Sequence, residues 1–311
     1  MNTKVLITGG SGFVGSHIAD KILLDDSSKV VVIDNYETGR RDNLRKHKNL
    51  TIVEGSIVDR DLVFQLMKDH DINLIIHAAA SYKDPHNWLE DSKTNVTGTV
   101  NMIQAAQEFG VKRFIYFQTA LCYGLKPEES PITLNHPILP GGSSYAISKT
   151  AGEFYLQLSG LDYVTFRLAN VYGPRNVSGP LPVFYHRLTN NKKCFVMDTR
   201  RDFVYVDDLV NVVMGAVNGK GHGTFHVSSG SDVSIKDLFD ETTDSLGMNI
   251  DVEIRPRNPD DAPSILLNPK RTNETFNWEA NTPLKKGVKD TIEYYHKFGI
   301  EETFTHLKNE D

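Results

Sequence analysis

Two side chains with complementary chemistry, Tyr145 and Lys149, lie four residues apart. On a helix these positions share one face and lie one turn apart. An ammonium beside a phenol stabilises the phenolate and lowers its pKa, so Tyr145 could remove a proton from a hydroxyl group near neutral pH. The pattern Tyr-x-x-x-Lys also arises by chance, and a surface pair is the better interpretation unless a cofactor site accompanies it.

A second pattern predicts a dinucleotide-binding turn. Gly9, Gly12 and Gly15 follow an apolar strand and open a helical pattern. Such glycines let the backbone approach a pyrophosphate, which the helix N-terminus then stabilises. Asp34 ends the next strand, where a carboxylate accepts hydrogen bonds from the adenosine ribose and repels a 2′-phosphate. The cofactor is therefore expected to be NAD rather than NADP, although arginines at 40–41 could contact such a phosphate.

These residues require a parallel sheet to hold them. Apolar runs alternate with helical patterns over the first half of the chain, which predicts an α/β fold with a Rossmann-like doubly wound parallel sheet. After about residue 173, Pro and Gly become frequent and indicate a smaller α/β substrate-binding lobe. We expect an NAD-binding domain over 1–173 with returning segments at about 200–225, and the lobe over about 174–199 and 226–311. The predicted strands begin at Val5, Val30, Leu50, Leu74, Phe114 and Val164.

Composition limits the partners. The 311 residues carry a formal net charge of −6, which disfavours binding to nucleic acid or to an anionic membrane. No apolar run approaches the about 20 residues of a membrane-spanning helix, and the N-terminus lacks the apolar core of a signal peptide. The two cysteines are far apart and the histidines lack ligand spacing, so we expect a cytoplasmic protein with no metal site.

The chain resembles the extended short-chain dehydrogenase/reductase family, and within it the NAD-dependent nucleotide-sugar epimerase/dehydratase branch, of which UDP-galactose 4-epimerase is a familiar member. The glycine turn, the acidic strand end and the Tyr-x-x-x-Lys pair carry the resemblance. Four further blocks extend it to nearly the whole chain, at Ile76–Ala80, Asn95–Thr99, Phe166–Arg175 and Arg201–Asp208. The resemblance implies an enzyme that uses NAD to act on a nucleotide-linked sugar.

The resemblance also assigns roles to single positions. It implies three catalytic residues: Tyr145 as acid and base, Lys149 as the residue that tunes it, and Thr119 as the hydroxyl that bridges substrate and Tyr145. The cofactor contacts that it implies come from Gly9, Gly12, Phe13, Val14, Gly15, Asp34, Asn35, Ser56, Ile57, Ala78, Ala79, Asn95, Tyr145 and Lys149.

For the substrate, the resemblance implies two arginines, Arg201 and Arg257, that hold the diphosphate through charge-assisted hydrogen bonds. A local ion pair is a fair alternative for Arg257, because acidic residues follow at 260–261. The complete set of implied substrate contacts is Thr119, Asn170, Leu181, Phe195, Arg201 and Arg257.

The sequence departs from the family pattern beside Thr119. Dehydratases of the branch carry Asp-Glu after this residue and its decarboxylases keep a Glu, whereas this chain has Ala120 and Leu121. Alanine and leucine cannot transfer protons, which favours a 4-epimerase. Such an enzyme oxidises C4 of the sugar to a 4-keto intermediate and reduces it from the other face. Cys122 leaves open an elimination assisted by its thiol, although free Cys is more often a small buried hydrophobe.

Several alternatives therefore stay open at this point. The leading hypothesis is an NAD-dependent 4-epimerase of a UDP-sugar; the others are a dehydratase that uses Cys122, a 4-ketoreductase, and a non-catalytic dinucleotide sensor. Two further substitutions bear on the site: Gln118 stands where the family has a small Ser, and Ser56 where it has an Asp for the adenine. The resemblance also implies a homodimer, formed by the helix that carries Tyr145 and the helix over 94–109.

Overall fold

The computed structural model describes residues 3–257, 261–300 and 302–304. In chain order its strands are β1 (Lys4–Thr8), β2 (Lys29–Asp34), β3 (Leu50–Glu54), β4 (Leu74–His77), β5 (Arg113–Thr119), β6 (Tyr163–Leu168), β7 (Asn170–Tyr172), β8 (Phe195–Met197), β9 (Arg200–Arg201), β10 (Phe203–Tyr205), β11 (Gly223–Val227), β12 (Val233–Ser234), β13 (Glu253–Arg255) and β14 (Ser264–Ile265).

The helices alternate with these strands. They are α1 (Phe13–Ile22), α2 (Arg60–His70), α3 (Trp88–Asp91), α4 (Thr99–Glu108), α5 (Ser144–Leu158), α6 (Pro180–Thr189), α7 (Val206–Val217), α8 (Ile235–Ser245), α9 (Lys270–Phe276) and α10 (Leu284–Phe298). None of the helices in the described part of the chain is both long and apolar enough to cross a membrane.

A seven-stranded sheet forms the centre, in the order β11-β6-β5-β4-β1-β2-β3. All of its neighbouring strands pair in parallel. From β1 the chain first builds the sheet towards β3 and then crosses to β4 and continues the other way. The reversal leaves a crevice at the carboxyl ends of β1 and β4, which is where sheets of this kind bind ligands. The predicted doubly wound α/β fold is confirmed.

The sheet is apolar on both faces because both are covered by helices. In β1, Val5 and Ile7 belong to one buried cluster, which also contains Ile18 of α1 and Val213 of α7. Leu6, between them, belongs to the cluster on the opposite face, under α2, α4 and α5. The alternation follows from the two-residue period of a strand.

Shorter sheets build the second half of the chain. β13 pairs with β8, and β9 lies between β12 and β14. α6 and α8 pack beside them, with the rings of Phe184 and Phe239 in edge-to-face contact at 5.3 Å. These elements lie opposite the carboxyl ends of the central strands, and together they form the far wall of the crevice.

The helix predicted over 94–109 is interrupted. A π-helical turn, Ser92–Gly98, separates α3 from α4. Within it the amide of the buried Asn95 donates to the Ser81 carbonyl oxygen and to Ser148 Oγ, at 3.0 Å each, and accepts from the Ser81 N–H at 2.8 Å. The turn thus connects the loop after β4 with α5, and single π-turns of this kind are frequent at functional sites.

The central core supports a stability prediction. Phe166 of β6 is fully buried and its ring lies 5.7 Å from that of Phe276 and 6.3 Å from that of Phe225. Phe166→Ala is expected to cost about 3–5 kcal/mol, because the lost contacts leave a cavity. A scanning-calorimetry Tm that stays at the wild-type value would contradict this. Leu24→Ala is the matched control, since Leu24 is 79% exposed and its truncation should shift Tm little.

Candidate active site

One large cleft lies along the carboxyl ends of the central strands, between the sheet and the elements of the second half. Its volume is about 2080 Å³. A pocket for a single drug-sized ligand has roughly 300–1,000 Å³, so this cleft can hold two ligands of nucleotide size. Its walls include the glycine turn, Thr119 and Tyr145.

The glycine turn is shaped by contacts that leave no room for side chains. Gly9 has φ +63°, and a Cβ there would lie 2.8 Å from the backbone of Ala79, in the loop after β4. A Cβ on Gly15 would overlap the carbonyl oxygen of Gly9. The turn therefore closes tightly and leaves the first N–H groups of α1 facing the cleft, a geometry that fits a pyrophosphate.

The carboxylate of Asp34 is held at the end of β2. Its oxygens accept from the N–H groups of Ser11 and Tyr36, both at 2.8 Å. Burial raises the pKa of Asp34, and these hydrogen bonds oppose the rise. Arg40 and Arg41, the candidates for a 2′-phosphate, instead pair with the carboxylates of Asp42 at 2.9 Å and Glu54 at 2.7 Å. The arrangement favours a free ribose 2′-hydroxyl at Asp34.

Most of the residues predicted for the cofactor border the cleft. These are Gly9, Gly12, Phe13, Val14, Gly15, Asp34, Asn35, Ser56, Ile57, Ala78, Ala79 and Tyr145. Asn95 and Lys149 instead lie behind its wall, with Asn95 fully buried and Lys149 2% exposed. Asn95 orders the loop after β4 through its bonds to Ser81, so its place is one of support for that loop.

Burial dominates the chemistry of the Tyr145–Lys149 pair. It raises the pKa of the Tyr145 phenol, and the nearby Tyr82 and Asp91 add to the rise. It lowers the pKa of Lys149 to about 7, against the opposing charge of Glu153. The lowered pKa that the sequence predicted for Tyr145 is therefore wrong for this arrangement, because removal from water raises it. Lys149 Nζ lies 4.2 Å from the ring centroid of Tyr116, a cation–π contact.

Thr119 is the last residue of β5 and lines the cleft. Its hydroxyl accepts the N–H of Leu121 at 3.2 Å, and its backbone N–H donates to the side-chain oxygen of Gln118 at 2.8 Å. A hydroxyl that accepts one hydrogen bond can still donate its own proton. Thr119 and Tyr145 thus border the same cleft with groups that can donate and accept at a substrate hydroxyl.

The predicted substrate residues divide into two groups. Asn170, Leu181, Phe195 and Arg201 border the cleft with Thr119. The guanidinium of Arg201 already donates to both oxygens of Asp261, at 2.7 Å each.

Arg257 differs from the other predicted substrate residues. It is exposed, and the lining of the cleft does not include it. A diphosphate role for Arg257 stays a prediction. Arg255, two residues earlier, lines the cleft and stacks its guanidinium 3.8 Å from the ring centroid of Phe195.

Cys122 lies away from the cleft. It is fully buried in an apolar cluster with Ile132 and Leu267. Burial raises the pKa of its thiol to about 12. A protonated thiol among aliphatic side chains cannot serve as a base, so the geometry disfavours an elimination assisted by Cys122.

Sequence reasoning missed several groups around the site. Arg255 and Asp261 border the cleft, and Glu153 lies fully buried behind it, where it pairs with Arg167. The four-residue step from Lys149 to Glu153 on one helix was a usable signal, since such residues share a face. Among the described residues, no group of three His, Cys, Asp or Glu side chains could hold a metal ion.

Comparisons with known proteins agree with this geometry. A family model described as "NAD dependent epimerase/dehydratase family" matches residues 5–227. The chain is 31% identical to a UDP-glucose 4-epimerase of Mycolicibacterium smegmatis, over 94% of this chain and 98% of that protein.

Two solved structures from Bordetella bronchiseptica are similar throughout. The enzyme WbmH in complex with NAD⁺ is 54% identical, with a TM-score of 0.93 over 96% of this chain and 99% of that one. The enzyme WbmG in complex with NAD and UDP is 40% identical, with a TM-score of 0.90 over 99% of both chains.

The buried lysine leads to a prediction about stability and pH. The unfolded chain holds Lys149 near the ordinary pKa of about 10.4, whereas the folded protein lowers that pKa to about 7. Below pH 7 both states carry the charge and the fold bears the full cost of burying it. The cost declines as the pH rises from 7 to about 10.4, where neither state is charged.

Lys149→Met is therefore expected to raise the Tm of the nucleotide-free protein at pH 7 and below, and the gain should shrink as the pH rises towards about 10. Each kcal/mol recovered corresponds to about 2–4 °C in a chain of this size. Scanning calorimetry over the pH series measures the gain. Lys68→Met, at an exposed position of α2, is the control and should leave Tm nearly unchanged. A gain in Tm of equal size at every pH would contradict the interpretation that burial of the lysine's charge destabilises the fold.

Proposed function

Because the chain belongs to the NAD dependent epimerase/dehydratase family, we propose that it is an NAD-dependent 4-epimerase of a UDP-linked sugar. The observation that carries the proposal is the meeting of Thr119 and Tyr145 in the same cleft as the glycine turn. No acid/base pair follows Thr119, since Ala120 and Leu121 occupy those positions.

The cofactor is NAD, and the residues around the turn fit it. The close approach of Gly9 to the loop after β4 leaves a cradle that a side chain would fill. The helix N-terminus behind Gly12 suits the pyrophosphate, and the fixed carboxylate of Asp34 suits the adenosine ribose. Bound there, NAD would supply reversible hydride transfer at C4 of the sugar, and the glycine turn and Asp34 would hold it.

The protein's own part in the reaction is the movement of one proton. Tyr145 takes the proton of the C4 hydroxyl and returns it to the keto oxygen, and the Thr119 hydroxyl lies at the same wall to hydrogen-bond that oxygen. Lys149, buried behind Tyr145 on the same helix, supplies positive charge that stabilises the phenolate during transfer. Because the same groups serve both directions, no further acid or base is required.

The nucleotide is proposed to be UDP. Arg201 and Arg255 give the end of the cleft beyond Thr119 two guanidinium groups, and Phe195 beside them offers a ring against which a base can pack. The Mycolicibacterium relative is a UDP-glucose 4-epimerase, and the WbmG structure holds UDP. We further propose that 1–173 with 200–225 forms the NAD-binding domain, that the remaining segments bind the substrate, and that the protein is cytoplasmic.

A homodimer is proposed through α5 and its neighbours. α5 exposes Ile147, Phe154, Tyr155 and Leu158, the last at 81%. Their spacing places them on one face of the helix. Trp88 and the residue after it extend this apolar surface from α3, which packs beside α5. A contiguous exposed apolar patch of this kind is typical of an interface.

The reaction is tested with a panel of UDP-sugars, namely hexoses, N-acetylhexosamines and hexuronates. We expect the enzyme to interconvert one pair of C4 epimers without net use of NAD. Chromatography of the products measures this interconversion. Tyr145→Phe should lower kcat by about 10²-fold or more, because the proton carrier is lost, while NAD binding persists. Cys122→Ala is the control and should stay active. Loss of water from the product, or stoichiometric use of NADH, would replace the proposal by a dehydratase or a ketoreductase.

The dimer is tested by charge insertion at its proposed centre. Phe154→Glu combined with Leu158→Glu is expected to yield monomers in light scattering, because two like charges per subunit would be buried at the interface. Leu24→Glu is the matched control. Leu24 is 79% exposed and follows α1, which covers the opposite face of the sheet. A wild-type protein that is already monomeric, or a double variant that stays dimeric, would contradict the proposed interface.

A further inference from the structure

A buried ion pair lies directly behind the catalytic wall. Glu153 of α5 is fully buried and Arg167 of β6 is 4% exposed. Arg167 donates to the two carboxylate oxygens from Nη2 at 2.9 Å and from Nε at 3.3 Å. Burying two charges costs desolvation energy, and apolar replacements of such pairs are often as stable. The pair is therefore weak evidence for stability, and its position suggests a role in the site.

Gln118 connects this pair to the cleft. It is 2% exposed, in the strand β5 that ends at Thr119. Its Nε2 donates to Glu153 Oε2 at 3.1 Å, and its Oε1 accepts the backbone N–H of Thr119 at 2.8 Å. The Gln118 amide thus bridges two groups. One is the Glu153 carboxylate, both of whose oxygens accept hydrogen bonds from Arg167, and the other is the backbone of Thr119, which borders the cleft.

The position of Thr119 is consequently defined from two sides. The side-chain oxygen of Gln118 accepts the Thr119 N–H, and the Leu121 N–H donates to the Thr119 hydroxyl at 3.2 Å. Both contacts fix the end of β5 before the chain turns, and so they set the direction of the hydroxyl. A serine at position 118, as is usual in the family, lacks the length to bridge the same two groups.

Glu153 also acts on the other catalytic partner. It follows Lys149 by one helical turn, and its negative charge opposes the fall in the pKa of that lysine. His77 of β4 and Tyr116 of β5 also lie near Lys149. Burial and the lysine lower the pKa of His77, and the Tyr116 ring contacts Nζ. The Glu153 carboxylate thus interacts with Lys149 through its charge and with the Thr119 backbone through the Gln118 amide.

We propose that Gln118 is a positioning residue, which transmits the fixed place of the Glu153 carboxylate to Thr119. The inference rests on the proposed function, since it concerns the hydroxyl that contacts the sugar. Gln118 itself lines the cleft with 2% of its surface exposed, and its amide is engaged by Glu153 and Thr119. It acts on the geometry of Thr119, and small displacements of a group that contacts the substrate cost large factors in rate.

A double-mutant cycle tests the proposal, with Gln118→Leu and Thr119→Ala made singly and together. Gln118→Leu is expected to lower kcat by about tenfold or more while KM for the UDP-sugar and affinity for NAD stay near wild type. Thr119→Ala should lower kcat by about 10²-fold. Because Gln118 acts through Thr119, the double variant should match Thr119→Ala alone. Independent effects that multiply, or an unchanged kcat in Gln118→Leu, would overturn the proposal.

Thr150→Val is the matched control for a buried polar group in the same network. Thr150 Oγ1 is the weaker partner of Gln118 Nε2, at 3.5 Å, and the change leaves the bond to Thr119 intact. Its kcat should equal that of the wild type, and a loss equal to that of Gln118→Leu would point to general damage and overturn the proposal. If Gln118→Leu does not fold, Gln118→Ser replaces it in the cycle, since serine cannot span the two groups.

A crystal structure of the position-118 variant gives a readout that does not depend on turnover. The Thr119 hydroxyl should move from its wild-type place, and an unmoved hydroxyl would overturn the positioning role. This separates the two levels of inference. Wild-type protein that is inactive on every UDP-sugar speaks against the proposed function, whereas an active wild type with a multiplicative cycle speaks only against Gln118.

Discussion

The site depends on the parallel order of the central sheet. β1 lies between β2 and β4, and the chain turns in opposite directions after β1 and after β3. The loops after β1 and β4 therefore separate and open a crevice at the carboxyl end of the sheet. The absence of a side chain at Gly9 lets the turn after β1 rest on the backbone at Ala79. That contact brings the cofactor turn of one strand against the loop of the next. β5 then delivers Thr119, and α5 delivers Tyr145, to the same wall.

Much of this was predictable because it is encoded locally. The central strands, the glycine turn and the place of Thr119 beside Tyr145 follow from short patterns and from the family resemblance. α6 was missed because Pro180 and Pro182 resemble loop punctuation, yet proline fits the first turn of a helix, where its missing N–H is not needed. The bond from Gln118 to Glu153 joins a strand to a distant helix, and only tertiary packing determines it.

The wall of the site is built from groups that are expensive to bury. Lys149, His77 and the pair of Glu153 with Arg167 are all removed from water, where an unpaired charge would be strongly destabilising. Glu153 and Arg167 pair with each other, whereas in the described part of the chain Lys149 contacts the Tyr116 ring and lies one helical turn from the Glu153 carboxylate. Burial of the Lys149 charge opposes folding. The chemistry proposed at Tyr145 gives a reason for a lysine at this place, in keeping with the general conflict between stability and function.

Burial disfavours the charged forms of both Tyr145 and Lys149. Burial raises the pKa of the Tyr145 phenol, so the phenolate that would accept the C4 proton needs a stabilising positive charge nearby. A lysine with a pKa of about 7 is divided between charged and neutral forms near neutral pH. Proton transfer by Tyr145, as proposed, draws that charge from the ammonium form of Lys149, and the negative charge of Glu153 favours this form. The buried carboxylate of Glu153 thus acts on the proposed base through the charge of Lys149.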